Sequence, residues 1–99
     1  MGYTTTLTLD LGLDTRVLQT LAGIWKGTTW GQRKRVWERL TQWMQGQRAT
    51  HSPQTTPLWT TRWLETLAIS PSTKKSYAAT VNAILKIMYG ETSQLLLLY

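Results

Sequence analysis

Two hydrophobic periods divide the chain. From Thr4 to Leu13, threonine or aspartate alternates with leucine, as in Thr6, Leu7, Thr8, Leu9, Asp10 and Leu11. A period of two predicts an extended arm over residues 1–13, since one such segment makes no sheet alone. Beyond it the period becomes helical. Val17, Leu18, Leu21, Ile24 and Trp25 give one apolar face to a short helix over residues 15–26, with Asp14 as N-cap and Gly27 as stop.

The next helix is expected to open at Thr29, with Gln32 completing a capping box, and to end at Gly46. Trp30, Trp37, Leu40 and Met44 form its stripe, widened by Val36 and Trp43. Arg35 and Arg39 fall on the opposite face, with Gln42 beside them and Gln32 at the edge. A polar loop over residues 47–56 leads to Thr56-Pro57, read as an N-cap with proline at N1. Trp59, Trp63, Leu64 and Leu67 then support a third helix over residues 57–68.

Pro71 ends the preceding element, and Ser70 or Ser72 can cap a fourth helix running to Tyr89. Its stripe is Tyr77, Val81, Ile84, Leu85 and Met88; Lys75, Ala79, Asn82 and Lys86 line the opposite face, and Gly90 is the C′ stop. A last segment runs from Thr92 through Leu98. The pattern predicts an all-α fold, a small bundle of four to five helices over residues 14–99 behind the arm. With no stop signal after Leu98, the domain reads as truncated at its C-terminus. Tryptophans at helical spacing are core residues first, Trp30, Trp37 and Trp63 above all.

Ninety-nine residues suffice for one core, not two. The net charge of +6 points to a polyanionic partner. There is no cysteine, and the one histidine, His51, has no neighbouring ligands or acids, which excludes disulfides, thiolate metal sites and histidine-based catalysis. No apolar run approaches a membrane span and no signal peptide is visible, so an intracellular protein without a membrane partner is expected. The acids Asp10, Asp14, Glu38, Glu65 and Glu91 are scattered, and no phosphate-cradling glycine loop occurs. No enzyme site or cofactor is expected.

Basic helix faces remain. Arg33, Lys34, Arg35 and Arg39 form one cluster; Lys74, Lys75 and Lys86 form another. The turn from Ser70 to Tyr77 holds two lysines and several hydroxyls but no acid. Cations oppose the dipole of a helix N-terminus, and a bound phosphate relieves that conflict. Small residues, Ala79 and Ala83, lie between Lys75 and Lys86 and permit close approach to a backbone. Asn82 and Gln42 carry carboxamides of the kind that pair with adenine.

The order Thr29-Trp30, then Trp37, Leu40 and Trp43, a polar loop, a short helix, and Ser72-Thr73-Lys74-Lys75-Ser76-Tyr77 through Gly90 resembles the core-binding domain of tyrosine recombinases and phage-type integrases. Ser70, Thr73 and Tyr77 match that family's S-x-x-T-x-x-x-Y spacing, and the likeness spans about residues 28–95. It implies a SAM-like bundle that forms half of a clamp on double-stranded DNA, with two helices over the major groove. Those would be the Thr29 and Thr73 helices, and the DNA-facing residues Gln32, Arg35, Arg39, Thr73, Lys75, Ser76, Asn82 and Lys86. The family's catalytic arginines, lysine, histidines and tyrosine nucleophile belong to a following domain, and Tyr99 is not assigned that role. The competing expectation is a SAM-like protein-interaction module that self-associates through the arm or the C-terminal helix.

Overall fold

The computed structural model describes residues 15–99; the expected arm and the Asp14 cap lie outside the described residues. Its elements are α1 (Thr15–Ile24), α2 (Thr28–Gly46), α3 (Thr55–Thr66), α4 (Pro71–Tyr89) and α5 (Gln94–Leu97). The fold is all-α, and no strand occurs among the described residues.

Some helix ends follow the local cap chemistry and others depart from it. Ser70 caps α4: its hydroxyl accepts from the Thr73 N–H at 3.2 Å, and Pro71 takes the first turn, where no amide hydrogen is missed. Gly90 closes α4 at φ +76°, its N–H donating to the Lys86 carbonyl at 2.7 Å. Thr29 and Gln32 form no capping box. The helix α2 starts at Thr28 behind Gly27, whose φ of +63° and ψ of −134° suit glycine and few other residues. It ends at Gly46 as expected; beyond it Arg48 takes φ +59°, with the Ala49 N–H reaching back to the Met44 carbonyl at 2.9 Å. The third helix begins two residues before Pro57. The Ser52 hydroxyl accepts from the Thr55 N–H and the Thr56 hydroxyl accepts from the Ser52 N–H, both at 2.9 Å, so the turn closes earlier. The final helix is one turn, shorter than the period from Thr92 to Leu98 implied.

The core gathers Leu21 from α1, Val36, Trp37, Leu40 and Met44 from α2, Trp63 and Leu64 from α3, and Leu96 from α5 around α4. That helix supplies Ala78, Val81, Ile84 and Leu85, and it packs against all four others. Trp37 is fully buried, as its place in the stripe predicts, and Trp63 nearly so. Trp30 is half-buried and stacks on Trp25, while Trp43 meets Trp59 edge to face at 5.7 Å. Trp63 stacks on Tyr77 at 5.8 Å.

His51, which the sequence left in a polar loop, closes the core between α2 and α3. Its ring stacks on Trp37 at 4.5 Å. Nε2 bonds the Thr41 hydroxyl at 3.0 Å and Nδ1 bonds the Thr56 hydroxyl at 3.1 Å. Each hydroxyl can donate or accept, so a neutral ring is satisfied in either tautomer. Burial disfavours the imidazolium and pushes the pKa down from 6.5 to about 4.

Two outcomes follow from this packing. Trp37→Ala removes the largest fully buried side chain and the platform under His51, and should cost about 3–5 kcal/mol in urea denaturation. His51 binds its proton more readily in the unfolded chain than in the folded one. Its contribution is therefore complete above pH 6.5 and lost as pH falls toward about 4. Denaturation at a series of pH values should show that loss, about 3 kcal/mol at most, and His51→Gln should flatten it.

Candidate nucleic-acid interface

A groove of about 480 Å³ runs between α2 and α4. Thr29, Gln32, Arg33, Arg35, Val36 and Arg39 line it from α2; Ser76, Tyr77 and Thr80 line it from α4. The α2 side follows from helical spacing, because residues 32, 35/36 and 39 share one edge of the helix. Hydroxyls, a carboxamide and three guanidiniums converge there with no carboxylate in the lining. Among the described residues, no acid forms an ion pair with Arg33, Arg35 or Arg39. Three cations in one groove repel each other, and an anion laid along it removes that repulsion.

Four of the eight expected contact residues, Gln32, Arg35, Arg39 and Ser76, meet in this groove. Lys75 is exposed one residue from Ser76. Lys86 is exposed in the last turn of α4, about 15 Å farther along the axis. Thr73 is half-buried, and its hydroxyl lies 2.9 Å from that of Ser70, within the cap. No first turn carries an acid in any described helix. Lys74 and Lys75 thus sit at the head of α4 without compensation.

Asn82 is a correction. It was expected to face DNA, but it is buried at 5% exposure. Its Oδ1 accepts from the Ser93 N–H at 2.7 Å, and its Nδ2 donates to the Ser93 carbonyl at 3.2 Å. Helical spacing put Asn82 on the polar face with Lys75, Ala79 and Lys86. There the turn into α5 folds back, and the carboxamide satisfies both backbone groups of Ser93. What remains exposed on α4 is a strip through Ser72, Lys75, Ser76, Ala79 and Lys86.

Arg33 belongs to the basic cluster in sequence but lies outside the expected contact set. Its Nη1 donates to the Thr80 hydroxyl at 3.0 Å, and its guanidinium lies 4.7 Å from the centre of the Trp25 ring. It therefore ties together α1, α2 and α4. The signal was present: Arg33 is in phase with Val36, Trp37, Leu40 and Met44, a cation on the apolar stripe.

Arg39 and Tyr77 also border a second pocket of about 450 Å³, with Gln42, Trp43, Trp63, Leu67 and Ile69. Elsewhere, the Tyr99 hydroxyl donates to a Glu65 carboxylate oxygen at 3.3 Å. Burial, then the charge of Glu65, raises its pKa, the opposite of activation for nucleophilic attack. Among the described residues, no group of three or more potential ligands is placed to hold a metal ion. No described helix is long and apolar enough to cross a membrane.

Comparison with protein-family models, curated proteins and solved structures found no match. The groove is therefore interpreted from its own chemistry.

Asn82→Ala tests the correction. Losing both bonds to Ser93 should destabilise the fold by about 1–3 kcal/mol in urea denaturation.

Proposed function

We propose that this chain is a DNA-binding domain of the tyrosine recombinase and integrase type, a SAM-like core-binding bundle that grips double-stranded DNA through α2 and α4. The observation that carries the reading is the α2–α4 groove, lined by three arginines and free of carboxylates. The Thr29 and Thr73 segments that carry the resemblance fall on α2 and α4, the two helices that border this groove. The chain would be no enzyme by itself and would need no cofactor. Cleavage and rejoining would belong to a separate catalytic domain, and the setting would be intracellular and DNA-associated.

In this reading Arg35, Arg39, Lys75 and Lys86 neutralise backbone phosphates, with Ser76 and Thr73 as hydroxyl donors. Phosphate contacts fix position and carry little sequence information. Gln32, exposed at the groove edge, is the remaining candidate for base contact. Half a clamp should bind weakly, in the non-specific range of about 10⁻⁴–10⁻⁶ M at physiological salt.

A second reading has one observation behind it. Leu58, Leu97 and Leu98 are more than half exposed, and Leu58 and Leu95 border a further pocket of about 280 Å³. Such a surface suits a protein contact, self-association included. Light scattering separates the two: a stable oligomer that does not bind duplex would favour the interaction module.

Fluorescence anisotropy with a 20-base-pair duplex tests the first reading. Four phosphate-neutralising cations give a log–log salt slope of about −3.6. Lys75→Ala with Lys86→Ala should weaken binding and bring the slope down by about 1.8, with the helical signal unchanged because both side chains are exposed. A salt-independent response would rule out the DNA reading.

A further inference from the structure

We propose that Arg33 is the anchor of the groove, a guanidinium fixed in advance to receive one phosphodiester of the bound DNA. This rests on the DNA reading above and adds a residue to it. A flexible arginine loses side-chain entropy when it docks on a phosphate, and a pre-positioned one loses much less. Arg35 and Arg39 are exposed, and no described partner holds either. Arg33 differs on every count. It is half-buried, the Thr80 hydroxyl holds one Nη at 3.0 Å, and its Cζ lies over the Trp25 ring, 4.7 Å from the ring centre.

Thr80 is itself fixed. It is buried, and its hydroxyl donates to the Ser76 carbonyl at 3.1 Å while accepting from Arg33. The chain of bonds from Ser76 through Thr80 to Arg33 runs along the wall of the groove. Only one of the five guanidinium N–H donors is committed to Thr80. The remaining donors include a second fork edge suited to two phosphate oxygens. Partial burial strengthens such a contact, because solvent screens it less than it screens a surface pair. No described carboxylate satisfies this charge, so a phosphate is the complementary partner.

Arg33 then becomes the fifth phosphate-neutralising cation, and the salt slope of the parent should be about −4.5 rather than −3.6. The experiment is duplex anisotropy across a salt series for the parent, Arg33→Gln, Arg33→Lys and Thr80→Val, with circular dichroism of each. Arg33→Gln should lower the magnitude of the slope by about 0.9 and weaken binding about eightfold at 0.1 M salt. Arg33→Lys and Thr80→Val keep the charge but lose the positioning; they should weaken binding several-fold with the slope retained. A purely structural role would leave the slope of every folded variant at the parent value.

Should Arg33→Gln fail to fold, Thr80→Val decides, since it removes only a buried hydroxyl; unchanged affinity in that variant overturns the anchor. If the parent binds and Arg33→Gln keeps its slope while Arg35→Gln and Arg39→Gln lose theirs, the anchor is overturned and the DNA reading stands. If the parent binds no duplex at any salt, both fall.

Discussion

The bundle depends on the burial of α4. Every other helix packs on it, and it carries side chains into the core around more than half its circumference. One narrow strip, Ser72 to Lys86, is left to solvent. Whatever α4 presents to a partner must come from that strip or from its shared edge with α2. This constraint excludes Asn82 and brings in Ser76, Tyr77 and Thr80 as a groove wall. Among the described residues, α2 lines the basic groove opposite α4, so the two helices form one surface.

Much of the architecture was legible because it is local. Stripes such as Trp37, Leu40 and Met44 follow from the helical period, and Ser70-Pro71 and Gly90 follow from cap and stop chemistry. What escaped was long-range. The partner of Asn82 is eleven residues away, that of Arg33 forty-seven, and His51 reaches Thr41 across ten. No periodicity encodes such pairs. Arg33 is the instructive case, since its phase on the stripe marked it as inward-facing while its charge drew it into a surface cluster. The helix starts at Thr28 and Thr55 were missed for a different reason. Their N-cap positions are Gly27 and Gln54, and neither makes a side-chain cap bond, so cap chemistry left no marker to read there.

The His51 latch and the Arg33 wall divide the work of α2. Its C-terminal half is fastened to α3 through Trp37, Thr41 and His51. Its N-terminal half is fastened to α1 and α4 through Arg33. The first contact is neutral and made with the loop ahead of α3; the second is cationic and opens on the groove. Acidification therefore acts on the His51 contact, whereas charge changes at Arg33 act on the lining of the groove directly.

Threonine hydroxyls do inside this bundle what ion pairs do in many others. Thr41, Thr56, Thr60 and Thr80 are buried, and no buried side-chain polar atom among the described residues lacks a partner. With no ion pair among the described residues, cohesion comes from apolar burial and hydrogen bonds that are mostly neutral, those of Arg33 and Glu65 excepted. Such contacts are nearly blind to ionic strength, while the cationic groove is acutely sensitive to it. Dissolved salt then becomes a selective handle: it screens the charges of the groove while most of the cohesion beneath is left unchanged.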